Sequence, residues 1–382
     1  MPIAVRLVLQ AISIGVCAYV VNAARADQVA PSGQSARTTD KAPPTYSDRA
    51  RLLVYIDDQG QEHAVKSGDD WAHRRAHILA GMQQAMGPLP ARTGLLPLDI
   101  RIVETVEQAG IPRQTISFAV EGQDRVTAYL YVPPTKDKRA RQPAMLALHP
   151  TAPLGKGVVA GLGTGTNRNY GLELAQRGYI VLAPDYPSFG DYKYDFAVDK
   201  YDSGTMKGIF NHMRCVDLLA ARDDVDPERI GVIGHSLGGH NAMFVGAFDE
   251  RLKVIVSSCG WTPFHDYYGG KLAGWTSDRY MPRLRDVYGL DPDRVPFDFY
   301  EVVAALAPRA FFSCSPTKDS NFDVAGVKKA IPAAQAVYQL LGAPQALQVR
   351  YPDCEHDFPE EVRREAYEFI DRVLKHEPRE SK

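Results

Sequence analysis

The chain has 382 residues, 45% of them hydrophobic and 24% charged, enough apolar material for one large catalytic domain with insertions. A formal net charge of −2 excludes any global electrostatic case for nucleic acid or an anionic membrane surface as partner. No run of like charge, internal repeat or heptad pattern occurs.

Arg6 precedes an apolar run over 7–21, and Ala24-Arg25-Ala26 sets small residues at a cleavage position. Residues 1–26 therefore read as a secretory signal peptide. The run is short for a membrane span and is interrupted by Ser13 and Gly15. The product is expected to be exported, periplasmic or secreted, with no stable membrane association after cleavage. Residues 27–44 lack periodicity and read as a disordered leader. Removing Cys17 with the signal leaves Cys215, Cys259, Cys314 and Cys354, which permit disulfides without requiring them.

Residues 45–98 read as a helical extension. Trp71, Ile78, Leu79, Met82 and Met86 recur at helical spacing, Asp69 is placed to cap the helix, and Gly87-Pro88 ends it. His73 and His77 share a helix face, but no third metal ligand accompanies them, so they read as surface. Strand patterns follow at 100–103, 115–120 and 126–132, as the antiparallel opening of a mixed sheet. Strands at 144–148, 179–183, 229–233, 252–257, 310–313 and 347–351 then alternate with helical stretches. That rhythm predicts parallel pairing with helices on both faces, and ligands at the C-terminal strand ends.

The stretch Gly234-His235-Ser236-Leu237-Gly238, between a β-branched strand and a helix, has the form of a nucleophile elbow. A serine hydroxyl needs a base and a group to orient that base. In this architecture the chain order is Ser, acid, His. His356 follows the last strand and is the expected base; His240, His265 and His376 are poorly placed for it. Asp319 and Asp323 both follow the strand at 310–313. Asp319 lies in an irregular loop and is the favoured acid, whereas Asp323 is suited to cap the next helix. The backbone N–H groups of Leu237 and Thr151 are the expected oxyanion donors, since Pro150 has none. His149 is expected to fix that loop, and His235 to pack beside the elbow.

Residues 261–299 break the rhythm with a cluster of aromatics. They read as a cap-like insertion, with Trp261 and Trp275 as candidate substrate-binding residues; a loop packed by its own aromatics is the alternative.

From about Asp99 to Leu374 the chain resembles the α/β-hydrolases. Gly234-His235-Ser236-Leu237-Gly238-Gly239, the segments 177–186 and 226–231, and Met86-Gly87-Pro88-Leu89-Pro90 carry the likeness to exported acetylxylan esterases and dienelactone hydrolases. The resemblance implies an α/β fold with a mostly parallel twisted sheet, a catalytic domain over 99–376, and a cap insertion after the sixth strand. It also implies a serine carboxylesterase acting on carboxylic esters, including acyl groups on plant polysaccharide. The expected partner is a small-molecule or carbohydrate ester, with no cofactor and no metal. Dienelactone hydrolases resemble a Cys-nucleophile pattern, and Ser236 departs from it. The alternatives are a serine peptidase of prolyl oligopeptidase type and a non-catalytic binding protein on the same scaffold. Such peptidases usually carry a large propeller, for which the residues before Asp99 are too few and too helical.

Overall fold

A computed structural model of the protein describes residues 43–135, 139–198 and 200–379. The expected signal peptide and nearly all of the expected leader lie outside these residues.

The N-terminal extension begins with two short antiparallel strands, β1 (Val54–Ile56) and β2 (Glu62–Ala64), followed by helix α1 (Gly68–Met86). Trp71, Ile78, Met82 and Met86 are buried along one side of α1, as their spacing predicts. The cap differs from expectation. Ser67 Oγ accepts from the Asp70 amide at 3.1 Å, while Asp70 accepts in return from Ser67 Oγ and the Lys66 amide. Asp69 lies inside the first turn, where a carboxylate favours the positive end of the helix without capping it.

Nine strands form the main sheet: β3 (Arg101–Gln108), β4 (Ile111–Glu121), β5 (Asp124–Tyr131), β6 (Gln142–Leu148), β7 (Ile180–Pro184), β8 (Val225–His235), β9 (Leu252–Ser258), β10 (Ala310–Cys314) and β11 (Leu347–Arg350). Their spatial order is β11-β10-β9-β8-β6-β7-β5-β4-β3. β3, β4, β5 and β7 pair antiparallel in turn, and every contact from β7 to β11 is parallel. The connections carry α2 (Tyr170–Gln176), α3 (Gly204–Ala220), α4 (Leu237–Phe248), α5 (Arg283–Asp286), α6 (Phe299–Ala305) and α7 (Val324–Leu340), and α8 (Glu360–Leu374) follows β11.

Two apolar cores result, one on each face of the sheet. Ile230, Val232 and Ile255 pack on the side of α1, α3, α4, α6 and α7. Ile233, Val254 and Val256 pack on the side of α2 and α8. Alternation over 230–233 of β8 and 254–256 of β9 thus feeds both cores, as a strand covered on both faces requires. The parallel strands deliver their C-terminal ends to one edge, and the expected site residues Thr151, Ser236, Asp319 and His356 follow β6, β8, β10 and β11.

Candidate active site

Ser236 stands between the end of β8 and the first residue of α4, with φ 56° and ψ −117°. That conformation is strained for a residue with a side chain. The turn closes only because two neighbours are glycine. A Cβ on Gly234 would lie 2.1 Å from Gly238 O, and one on Gly238 would lie 2.0 Å from Leu148 O. The Ser236 amide donates to Ser258 O at 2.8 Å, tying the elbow to β9. Its hydroxyl makes no capping bond to α4, although Ser236 occupies the cap position. Leu237 supplies the first amide of α4, at the end of the helix where backbone N–H groups lack intrahelical acceptors.

The loops after β10 and β11 are zipped together by their backbones. Ser315, Thr317 and Lys318 amides donate to Arg350, Pro352 and Cys354 carbonyls at 2.8, 2.9 and 3.0 Å. This brings Asp319 to His356, whose Nδ1 lies 3.0 and 2.9 Å from the two carboxylate oxygens. The Asp319 side chain is 1% exposed, and that of His356 is 29% exposed. Burial pushes the Asp319 carboxyl up, but the His356 hydrogen bond and charge, with the Asn321 and Phe322 amides, hold it below its ordinary value. Asp323 instead accepts from the Ala325 amide at 2.8 Å and caps α7.

The His356 ring meets the His235 ring edge-on at 4.9 Å and stacks on Phe322 at 6.0 Å. His235 is buried, and burial holds it well below its ordinary value, so the ring facing His356 is uncharged. Arg168 fixes the loop from outside: it donates to His356 O at 3.0 Å and pairs with Asp357. The other histidines are elsewhere engaged or enclosed. His265 pairs with Asp293 at 2.8 Å, and His376 Nε2 contacts Arg177 O at 2.8 Å. His240 is buried with no partner at either ring nitrogen; burial pushes it down to about 3.

Beyond β6, His149 is buried and accepts at Nε2 from the Tyr186 amide at 3.0 Å. Its proton is therefore on Nδ1, which donates to Pro150 O at 2.7 Å. The next residue, Thr151, is exposed, and its Oγ1 lies 3.0 Å from the Tyr280 hydroxyl. A buried ion pair holds the far side of this loop. Lys156 Nζ lies 2.6 Å from Asp185 Oδ2 and 2.5 Å from Asp191 Oδ2, and the Lys156 amide donates to Asp185 Oδ1 at 2.8 Å. Burial lowers the Lys156 pKa, but the two carboxylates more than offset this and raise it.

The two tryptophans correct the expectation placed on them. Trp261 is 1% exposed, and its Nε1 donates to Ser313 Oγ at 3.0 Å. Trp275 is 3% exposed and is enclosed by His240, Phe264, Tyr267, Phe299 and Phe322. Neither offers a ring face to a ligand, because both complete the core on the α4 side of the sheet. The segment 261–299 packs on its own aromatics, and its half-buried Tyr280 reaches Thr151 and packs near Leu237 and Tyr186. The cysteines Cys215, Cys259, Cys314 and Cys354 are all free.

Sequence reasoning missed Arg168, the Lys156–Asp185 pair, Tyr280 and Cys259. Cys259 follows β9 with φ 48°, and its Sγ donates to Asp357 O at 3.1 Å beside the Asp319–His356 pair. The arrangement is a carboxylate-oriented imidazole at the edge where a strained strand-to-helix turn presents a serine. That combination suits activation of a hydroxyl nucleophile.

Comparison with known proteins identifies the fold and the family. YtaP of Bacillus subtilis (strain 168), whose name assigns it only to the hydrolases, is 27% identical over 319 residues, covering 79% of this chain and 99% of its own. Carbohydrate esterase MZ0003, from an unknown prokaryotic organism, is 27% identical over 212 residues; the match spans 50% of this chain and 47% of the esterase. The solved glucuronoyl esterase from Solibacter usitatus superposes with a TM-score of 0.65 at 18% identity, over 87% of this chain and 98% of its own. The fold is that of the α/β-hydrolases. A sequence profile of the prolyl oligopeptidase family matches residues 169–377, more than half of the chain and the part that carries Ser236, Asp319 and His356; the chain therefore belongs to the prolyl oligopeptidase family.

Proposed function

We propose that the protein is a serine carboxylesterase acting on ester-linked carbohydrate. The observation that carries this reading is the Asp319–His356 pair, formed at the same sheet edge as the strained elbow of Ser236. In this reading Ser236 Oγ attacks the ester carbonyl carbon while His356 Nε2 takes its proton. Asp319 keeps Nδ1–H pointed away from the serine and stabilises the imidazolium. The Leu237 and Thr151 amides receive the oxyanion. Collapse of the tetrahedral intermediate breaks the ester C–O bond, and His356 returns the proton to the leaving alcohol. Water, deprotonated by His356, then attacks the acyl carbon and releases Ser236.

The relatives named as carbohydrate and glucuronoyl esterases favour a sugar ester, and among sugar esters one of a uronic acid over an acetyl ester. Membership of the prolyl oligopeptidase family supports a second reading, a peptidase with the same chemistry. Coverage favours the esterase: relatives named as carbohydrate or glucuronoyl esterases match 50% and 91% of the chain, whereas one named as a dipeptidyl-peptidase matches 23% of it. The proposed export follows from the basic, apolar and small-residue order of residues 1–26.

The test is a panel of methyl glucuronate, acetylated xylan, p-nitrophenyl acetate and an aminoacyl-proline amide. The proposal expects hydrolysis of the sugar esters with little on the amide. Preference for the amide would establish the peptidase.

A further inference from the structure

We propose that Cys259, Asp319 and His356 together form a binding site for a soft divalent cation of the Zn2+ or Cd2+ type, whose occupancy switches the hydrolase off. The binding stands on geometry alone; the inhibition rests on the role proposed above for His356.

Cys259 Sγ, an Asp319 carboxylate oxygen and a His356 ring nitrogen all lie within 4.8 Å of one another. Metal bonds of about 2.3 Å to sulfur and about 2.0–2.2 Å to nitrogen or oxygen set tetrahedral ligand atoms roughly 3.2–3.7 Å apart. Closing the three around an ion therefore asks for shifts of at most about 1.5 Å. The donor set is one sulfur, one nitrogen and one oxygen, which selects zinc-like ions over magnesium or calcium. His356 and Asp319 already touch at Nδ1, so two of the three ligands need little rearrangement. Cys259 is free and has no part in the hydrolytic steps. The partly exposed His356 edge gives a cation its way in.

Binding has a balanced proton account. The Cys259 S–H bond breaks, a sulfur–metal bond forms and the proton leaves to solvent. The metal takes the Nδ1 lone pair, so the imidazole proton relocates from Nδ1 to Nε2 and the ring stays neutral. Nε2 then donates where it had accepted, and it can no longer take the proton of Ser236. The carboxylate that oriented the ring is drawn onto the same ion. Both supports of the serine are removed by one event.

The test titrates metal-free protein with CdCl2 and follows the thiolate-to-cadmium charge-transfer absorption, beside inhibition of ester hydrolysis by Zn2+. Wild type is expected to bind one Cd2+ per chain with this band and to lose activity over the same range. Cys259→Ala is expected to hydrolyse ester at close to the wild-type rate, to lack the band, and to need at least about tenfold more Zn2+ for half-inhibition. Cys354→Ala is expected to keep both responses. Ser236→Ala is expected to keep the band without activity, so the metal site is read even if the esterase assignment fails. Cys259→Ser serves as the second variant should the alanine protein not fold. No band at saturating Cd2+, or a band that survives loss of the Cys259 thiol, would overturn the proposal.

Discussion

Both oxygens of the Asp319 carboxylate face His356 Nδ1, at 3.0 and 2.9 Å, while Asp323, four residues on, turns its carboxylate to the Ala325 amide of its own helix. What else each carboxylate holds separates the two acids that sequence order left open. Asp319→Asn is expected to lower kcat by several orders of magnitude with KM little changed, because the imidazole loses its fixed tautomer. Asp323→Ala is expected to leave kcat near wild type and cost on the order of 1 kcal/mol of stability as a lost helix cap. Steady-state kinetics and thermal melts on the two variants check this, and exchanged phenotypes would reassign the acid.

The same carboxylate predicts a pH signature. Its folded pKa is lowered below the unfolded value, so its contribution to stability is complete above the ordinary carboxylate range and is lost as pH falls through the lowered value. The stability gap between wild type and Asp319→Asn should be widest near neutrality and close as the solution is acidified. A gap that widens on acidification would contradict the direction assigned to Asp319.

The loop bearing Thr151 is held by a charge pair that water does not reach, with the Lys156 and Asp185 side chains 2% and 0% exposed. Asp185→Ala leaves a buried ammonium with only Asp191 as partner. A loss of about 3–5 kcal/mol is expected, the usual cost of breaking a buried pair. Asp191 is 69% exposed, and Asp191→Ala should cost far less. Chemical denaturation of both variants measures the difference; equal losses would mean the burial of the pair is not what stabilises the loop.

The tryptophans should behave as core residues. Trp261→Ala and Trp275→Ala are each expected to cost about 3–5 kcal/mol through the cavity left behind. In the fraction that still folds, kcat/KM should change alike on a carbohydrate ester and on p-nitrophenyl acetate. A loss confined to the carbohydrate ester would restore a direct substrate contact.

Legibility in the sequence followed the range of the interaction. β6 after Gln142 and the whole of β7 are buried and read as unbroken apolar runs, so the parallel half of the sheet was plain. The elbow is local, and its glycines carry their own reason. His356 and Asp319 followed from chain order once the strands were placed. Arg168 reaches across 188 residues to His356 O, and Lys156 across 29 to Asp185, and no periodicity announces such pairs. Aromatic content marked the segment 261–299 without saying which way its rings face, and most of them turned inward. The start of β8 lay earlier than its apolar run, at Val225, because its pairing with β6 passes through an irregularity before Ile230.

The central claim is that Ser236 is a nucleophile activated through His356. Reaction with a fluorophosphonate, followed by intact mass and peptide mapping, tests it most directly. The account predicts a single adduct on Ser236 of the wild-type protein, and at most slow labelling in His356→Ala. An adduct on another serine, or none on a protein that still hydrolyses esters, would contradict it.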